Sequence, residues 1–185
     1  MLEIRFHGRG GQGTVVASKM LAVGVAKEGK YVQAFPEFGV ERRGAPVVAF
    51  IRIDEGPIYI KSKIYQPDHI VILDPTLIGA VDVTEGLKPG AWIIVNSEKE
   101  PDKFDFGKDF KVATIDATSI AIKYRLGSKT SPIVNTAILG AVIRVLNPCS
   151  LESLIDGIKE EAPVKPEENA QAAKEAYERV KGGDL

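Results

Sequence analysis

Several features that define common functional classes are scarce in this sequence. One cysteine, Cys149, occurs in 185 residues, so the chain forms no internal disulfide and lacks the thiolates that iron–sulfur or structural zinc sites require. Lys and Arg number 24 against 25 Asp and Glu, a net charge of −1, which gives no global field that favours nucleic acid or an anionic membrane. Any redox cluster must therefore belong to another chain, and we expect no metal site here.

Long apolar runs, internal repeats and low-complexity segments are also missing. No apolar stretch approaches the length of a membrane span, and the first strand carries charge where a signal peptide would be apolar. We therefore expect a cytoplasmic protein. The length and the 44% hydrophobic fraction suit one domain over residues 1–185, with a C-terminal helix at 166–181 that packs on it or on a partner.

The densest motif present is a glycine loop, residues Gly8–Gly13, which follows an alternating strand at residues 2–7 and opens into an apolar helix at 14–28. Glycines let backbone N–H groups approach a ligand without Cβ atoms in the way. At the start of a helix such donors suit an anion. The loop therefore predicts an anion site or a close contact with another chain.

Two known types of phosphate-binding loop can be compared with this motif, and they match it to different extents. Gly8, Gly10 and Gly13 have the spacing and the strand-to-helix context of the dinucleotide fingerprint. That fingerprint expects an acidic residue at the end of the second strand, and although Glu37 is near that place, Pro36 and the β-rich runs that follow are unusual there. The ATP-binding P-loop needs a lysine where Thr14 stands, which argues against an ATPase.

The remaining pattern predicts an α/β fold with three α/β/α layers, a mixed, mostly parallel sheet, a Rossmann-like start and a β-hairpin insertion. Residues 30–35 form the second predicted strand, and the hairpin joins 47–53 to 58–60 through Asp54–Pro57. Further strands at 70–73, 92–95 and 112–115 are each followed by a polar residue, Asp74, Asn96 or Asp116. Those residues could face a ligand at the carboxyl edge of the sheet or cap the next helix or turn. Helices are predicted at 133–146 and 151–158.

A second loop, residues 35–46, mixes charge and glycine between two predicted strands, with Glu41, Arg42, Arg43 and Gly44 at its centre. Guanidinium groups in such a loop suit phosphate or carboxylate recognition. Structural salt bridges or a contact between subunits explain it equally well.

Together these motifs resemble the gamma subunit of pyruvate and related 2-oxoacid:ferredoxin oxidoreductases. The resemblance rests on Gly8-Arg-Gly-Gly-Gln-Gly13, Phe38-Gly-Val-Glu-Arg-Arg-Gly-Ala-Pro46, Pro67-Asp68 before Ile70-Val-Ile-Leu-Asp74, and Asn135-Thr-Ala-Ile-Leu-Gly-Ala141. It covers nearly the whole chain, and the order and spacing of four motifs make it specific.

The resemblance implies an enzyme that oxidatively decarboxylates a 2-oxo acid, pyruvate for instance, with coenzyme A, giving acyl-CoA, carbon dioxide and reduced ferredoxin. It implies alpha, beta and delta type partner subunits that hold thiamine diphosphate and the iron–sulfur clusters, with ferredoxin as the acceptor of the complex. The gamma chain itself carries no catalytic residue and no cofactor of its own, and alone it is inactive.

Coenzyme A is the co-substrate whose phosphates need an anion site, and we expect this chain to help bind or enclose it and to hold the complex together. The expected contacts come from the two loops: Gly8, Arg9, Gly10, Gly11, Gln12, Gly13, Glu41, Arg42, Arg43 and Gly44. Two alternatives stay open, a stand-alone NAD or FAD binding protein of Rossmann type and a purely structural adaptor. His7, His69 and Cys149 are expected to be structural.

Overall fold

The computed structural model describes residues 1–37 and 43–182. A six-stranded sheet consists of β1 (Leu2–Arg9), β2 (Tyr31–Pro36), β3 (Pro46–Asp54), β4 (His69–Ile72), β5 (Trp92–Asn96) and β6 (Lys111–Ile115). Its spatial order is β2-β3-β1-β4-β5-β6. β3 runs antiparallel to β1 and β2, whereas β1, β4, β5 and β6 are parallel neighbours. The predicted α/β class and the mixed, mostly parallel sheet are confirmed.

The helices are α1 (Thr14–Lys27), α2 (Ala117–Lys123), α3 (Asn135–Leu146), α4 (Leu151–Glu161) and α5 (Pro166–Arg179). Short 3-10 turns occupy Pro75–Leu77 and Pro101–Lys103, and a small hairpin pairs β7 (Gly127–Ser128) with β8 (Ser131–Pro132).

The antiparallel hairpin lies one strand earlier than the sequence indicated. β2 and β3 pair from Tyr31 opposite Asp54 to Pro36 opposite Ala49, so the loop between them is the arginine-bearing loop. The expected strand at 58–60 is wrong, because these residues have no ladder partner and run in irregular structure after β3. The glycine loop follows the end of β1, and the second loop leads into the start of β3. Because β1 and β3 are antiparallel neighbours, with Arg9 opposite Pro46, both loops lie at the same end of the sheet.

Helices cover one face of the sheet. Ile4 and Phe6 of β1 and Val71 of β4 share a large core with buried side chains of α1 to α5. The opposite face has a smaller core in which Ile70 and Ile93 contact Leu77, Val83 and other side chains of irregular segments. In the described part of the chain, the third predicted layer thus consists of irregular segments and 3-10 turns instead of helices.

Local capping explains where the elements begin and end. Asp74 accepts a hydrogen bond from the Thr76 N–H, and Asp116 accepts one from the Ser119 N–H. Asn96 donates to the Leu73 carbonyl at 2.9 Å. Asp74 and Asp116 therefore cap the following turn and helix, whereas Asn96 joins the ends of β5 and β4.

Candidate functional site

The structure brings the glycine loop and the second loop together. Gly10 N–H donates to the Ala45 carbonyl at 2.9 Å, and Gly44 N–H donates to the Gly10 carbonyl at 3.1 Å. Arg43 forms an isolated bridge with Gly10. Glu41 and Arg42, two of the predicted site residues, lie outside the described residues.

The glycine loop requires glycine for close packing as well as for backbone conformation. A Cβ at Gly8 would lie 2.1 Å from Thr14 Oγ1. Gly13 precedes α1 with φ 78°, and a Cβ there would lie 2.6 Å from Asn135 Nδ2. These contacts let β1, α1 and α3 meet at one point, because any larger residue would push them apart.

The start of α1 is open to a ligand. Gly13 provides no side-chain cap, and the first backbone hydrogen bond of the helix runs from Ala17 N–H to the Gly13 carbonyl at 2.8 Å. The N–H groups of the preceding helical residues have no partner within the helix. Together with the helix dipole, these donors favour an anion.

Arg9 and Gln12 brace the loop. Gln12 Oε1 accepts from the Arg9 N–H at 2.7 Å, and Gln12 Nε2 donates to Asp74 Oδ2 at 2.8 Å. The Arg9 guanidinium donates to Thr76 Oγ1 at 2.9 Å and to the Gly44 carbonyl at 3.0 Å. Arg9 Nε also lies 3.3 Å from Asp74 Oδ2. The brace therefore ties the glycine loop to the end of β4.

Asp74 supports this site through Gln12 and Arg9, at a strand end that the sequence offered either as facing a ligand or as a cap. Burial alone would raise the pKa of its carboxyl, but hydrogen bonds from Thr76 and Gln12 and the charge of Arg9 hold that pKa below its usual value. Asp74 is therefore ionised at neutral pH and offsets part of the positive charge of Arg9.

A cavity of about 610 Å³ opens over the loop and the first turn of α1, and Arg9, Gly11, Thr14 and Arg43 are among its lining residues. Arg43 is exposed there. Thr14 is 3% exposed, and its Oγ1 is buried without a hydrogen-bond partner among the described residues. A buried hydroxyl without a partner is costly, so Thr14 is a candidate for a contact to a ligand in this cavity. From the sequence, Thr14 was notable only because it stands where an ATP-binding P-loop has lysine.

Both histidines and the cysteine lie outside this cavity. His7 accepts from Arg5 Nε at 2.9 Å, and His69 Nδ1 accepts from the Trp92 N–H at 3.0 Å. Cys149 is 2% exposed, and burial raises the pKa of its thiol to about 12. His69, which was expected in a turn, is the first residue of β4, and Cys149 is the buried small side chain that the sequence predicted.

The described residues contain no group of three or more His, Cys, Asp or Glu side chains that could hold a metal ion. Nor does the described part of the chain contain a helix that is both long enough and apolar enough to cross a membrane.

Comparison with known proteins identifies a family. Residues 3–179 match the family model described as pyruvate ferredoxin/flavodoxin oxidoreductase. The gamma subunit common to the pyruvate and ketoisovalerate oxidoreductases of Thermococcus kodakarensis is 55% identical over 184 residues, 97% of each chain. Pyruvate synthase subunit PorC of Methanothermobacter thermautotrophicus is 52% identical over 182 residues, 97% of this chain and 96% of that one.

Solved structures agree with this similarity. Pyruvate oxidoreductase subunit PORC of Thermotoga maritima superposes with a TM-score of 0.79 at 37% identity, over 99% of this chain and 98% of that chain. A 2-oxoglutarate:ferredoxin oxidoreductase of Magnetococcus marinus, solved with coenzyme A and succinyl-CoA, superposes with a TM-score of 0.72 at 19% identity. The match covers 96% of this chain and 30% of that one, and it shows a shared fold.

Proposed function

Because the chain belongs to the pyruvate ferredoxin/flavodoxin oxidoreductase family, as a subunit of the gamma type, we propose that it helps a multi-subunit enzyme to bind coenzyme A. The reaction of that enzyme is the oxidative decarboxylation of a 2-oxo acid, with pyruvate as the substrate that the relatives' names suggest. Its products are acyl-CoA, carbon dioxide and reduced ferredoxin. Residues 1–185 act in it as one gamma-type domain.

The observation that carries this proposal is the Thr14 hydroxyl beside the open start of α1, which is buried and has no hydrogen-bond partner in the described ranges 1–37 and 43–182. A pyrophosphate offers several strong acceptor oxygens, which can accept from this hydroxyl and from the free N–H groups of the first helical turn. Arg43 lines the same cavity, and its guanidinium suits a phosphate. Arg9 adds positive charge, although its donors are committed to Thr76 and Gly44.

A single buried cysteine cannot ligate a cluster, so an iron–sulfur cluster of the enzyme belongs to another chain. From membership of the family we further propose that alpha, beta and delta type partners hold thiamine diphosphate and the iron–sulfur clusters, and that ferredoxin accepts electrons from the complex.

A contact surface supports the second part of the role, which is to hold the complex together. Residues 58–65, here named the tyrosine segment, cross the helix-free face of the sheet. Tyr59 is 83% exposed and Tyr65 is 65% exposed. Exposed apolar groups concentrated in one segment are typical of protein interfaces.

Substitutions at Thr14 and Arg43 test the coenzyme A site in the assembled complex. Thr14→Val keeps the branched shape and removes the hydroxyl, and Arg43→Gln removes the charge. Each change removes one contact to phosphate, so we expect the KM for coenzyme A to rise about tenfold or more. The KM for the 2-oxo acid should stay unchanged, because other subunits bind that substrate.

Lys99→Gln is the matched control, since Lys99 is an exposed cation that does not line the cavity. It should leave both KM values unchanged. If Thr14→Val and Arg43→Gln leave the KM for coenzyme A unchanged in an intact complex, the chain is an adaptor and the proposal fails. If the isolated chain is stabilised against heat by NAD(H), the dinucleotide alternative replaces it.

A further inference from the structure

A polar pocket of about 270 Å³ lies on the helix-free face of the sheet. Arg5 and His7 of β1 and Val48 of β3 line it, and Lys63 and Tyr65 of the tyrosine segment form part of its wall. We name it the Arg5 pocket. Its volume is below the roughly 300–1,000 Å³ of most small-molecule sites, so it suits a single side chain better than a free cofactor.

Arg5 carries a buried charge that has no carboxylate partner among the described residues. It is 8% exposed. Its Nη2 donates to the carbonyls of Val83 and Glu85 at 3.0 and 2.8 Å, and its Nε donates to His7. The remaining nitrogen, Nη1, makes no hydrogen bond to any described residue. Because buried charges are normally paired, Arg5 is suited to stabilise a carboxylate that enters the pocket.

His7 adds a second donor to the Arg5 pocket. Because its Nε2 accepts from Arg5 Nε, the neutral ring carries its proton on Nδ1. His7 is 5% exposed, and its Nδ1 donates to no residue in the described part of the chain. Arg5 Nη1 and His7 Nδ1 therefore present two N–H donors to the same pocket. A carboxylate, with two acceptor oxygens, can accept from both.

The mouth of the Arg5 pocket is acidic. Glu37, Asp82 and Glu85 are exposed and line it. Glu37 is paired with Lys63 at 2.8 Å, whereas Asp82 and Glu85 form no salt bridge with a residue in the ranges 1–37 and 43–182. Burial lowers the pKa of Arg5, and these three carboxylates offset only part of that effect. A mouth of this charge disfavours a free anion but matches a segment that carries an acidic and a basic side chain together.

We infer that the Arg5 pocket receives an acidic side chain of a partner subunit, and that a basic residue beside it on the same partner segment pairs with Asp82 and Glu85. The acidic side chain accepts from Arg5 and His7. This inference rests on the proposed contact surface at the tyrosine segment and deepens it, because that segment forms a wall of the pocket. A partner that covers the exposed tyrosines also closes the pocket, and the exclusion of water strengthens the ion pair inside.

The test measures the Kd between this chain and the other subunits, by dilution of the purified complex and mass photometry. Arg5→Gln removes the charge but keeps an amide donor for the Val83 and Glu85 carbonyls. We expect it to raise the Kd about 30-fold or more, because it leaves the partner's carboxylate buried without a counter-ion. Arg5→Lys keeps the charge and loses the planar fork, so it should raise the Kd less than Arg5→Gln does.

A double variant at the mouth, Asp82→Asn with Glu85→Gln, leaves the core untouched because both side chains are exposed. It removes the counter-charges of the partner's basic residue, so the Kd should rise about three- to tenfold, and by less at high salt. Asp156→Asn and Arg144→Gln are the matched controls, since they remove exposed charges that do not line the pocket. They should leave the Kd unchanged. Urea unfolding of each variant chain reports whether it folds.

The inference is overturned if a folded Arg5→Gln chain keeps the Kd unchanged or lowers it, because a cationic or apolar occupant would gain from the loss of a buried positive charge. It is equally overturned if the mouth variant leaves the Kd unchanged, and this result decides the matter where Arg5→Gln does not fold. Failure of the underlying proposal looks different, because assembly then also tolerates Tyr59→Ser with Tyr65→Ser. If that pair disrupts assembly and the mouth variant does not, only the Arg5 pocket is lost.

Discussion

At His7, burial decides the protonation state. The side chain is 5% exposed and lies on the helix-free side of β1 with Arg5, whose Nε donates to it at 2.9 Å. Burial first, and then the positive charge of Arg5, lower the pKa of His7 to about 3. The imidazole is therefore neutral in the folded protein and accepts a hydrogen bond.

This pKa predicts a loss of stability in mild acid. Between pH 6.5 and about 3 the unfolded chain binds a proton at His7 that the folded chain does not, so the free energy of unfolding falls as the pH falls. From pH 7 to pH 5 the loss from this group is about 2 kcal/mol. Urea unfolding of the purified chain at the two pH values measures it.

His7→Gln is the informative variant, because glutamine still offers an acceptor to Arg5 but does not titrate. Its stability should change less between pH 7 and pH 5 than that of the unsubstituted chain. Burial also lowers the pKa of His69, so the difference between the two chains, and not the total slope, isolates His7. Equal slopes in both chains would contradict the assignment.

Single residues of the site were only partly predictable from the sequence. Gly8 and Gly13 were recognised by spacing, but the spacing could not show that Gly13 packs against Asn135, since 122 positions of the sequence numbering separate them. Thr14 was missed because a hydroxyl reveals its lack of partners only when its surroundings are known.

At the level of helices and strands, sequence signals located α1 and α3 well. The predicted helix at 14–28 is α1, Thr14–Lys27, and the predicted helix at 133–146 is α3, which begins at Asn135 and ends at Leu146 before the left-handed cap Asn147. The hairpin was harder, because β-rich runs do not reveal their partners: β3 pairs with β2 and β1, while residues 58–60 pair with neither. Strand pairing depends on contacts between distant residues, and local composition carries little of that information.

Two helix pairs pack through glycine. At Gly140 of α3, a Cβ would lie 1.9 Å from the Ala173 carbonyl oxygen of α5, and at Gly24 of α1 it would lie 2.9 Å from the Ser153 carbonyl oxygen before Leu154 of α4. Backbone meets backbone at both crossings. A larger residue at either glycine would therefore push the two helices apart and loosen the core packing between them.

Gly140→Ala tests this packing, because two effects oppose each other. Helix propensity alone would stabilise the protein by about 1 kcal/mol, whereas the clash forces α3 and α5 apart at a cost of about 1–3 kcal/mol or more. We expect a net loss of stability, measured by urea unfolding. Gly56→Ala, where no atom lies within 4 Å of the new Cβ, should change stability by about 0.5 kcal/mol or less. A stabilised Gly140→Ala variant would disprove the close contact.

For the molecule as a whole, the two faces of the sheet suggest two functions. The helix-covered face holds the larger core, and the first turn of α1 lines the cavity that we propose as the coenzyme A site. The opposite face is covered by irregular segments, and the tyrosine segment lies there. The glycines and arginines of the two loops could be recognised in the sequence. The exposed tyrosines could not, because the sequence pattern predicted a layer of helices over the face on which they lie.

Hydrogen exchange can test whether the tyrosine segment contacts a partner subunit. The segment is anchored by Ile64, which is 2% exposed, and by the hydrogen bond from Gln33 Nε2 to the Ile58 carbonyl at 3.1 Å. It is otherwise irregular, so its amides should exchange quickly in the isolated chain. In the assembled complex we expect exchange in residues 58–65 to slow, because an interface excludes water from them.

Residues 98–109 provide the comparison within the same molecule. Apart from the 3-10 turn Pro101–Lys103 they also form an irregular segment with many exposed positions. Its two aromatic residues, Phe104 and Phe106, pack against the smaller core, and its exposed side chains are charged. Their exchange should be similar in the isolated chain and in the complex. Tyr59→Ser with Tyr65→Ser should weaken co-purification of the partner subunits, since exposed tyrosines contribute strongly to interfaces. Unchanged exchange at 58–65 together with intact assembly of this variant would place the interface elsewhere on the molecule.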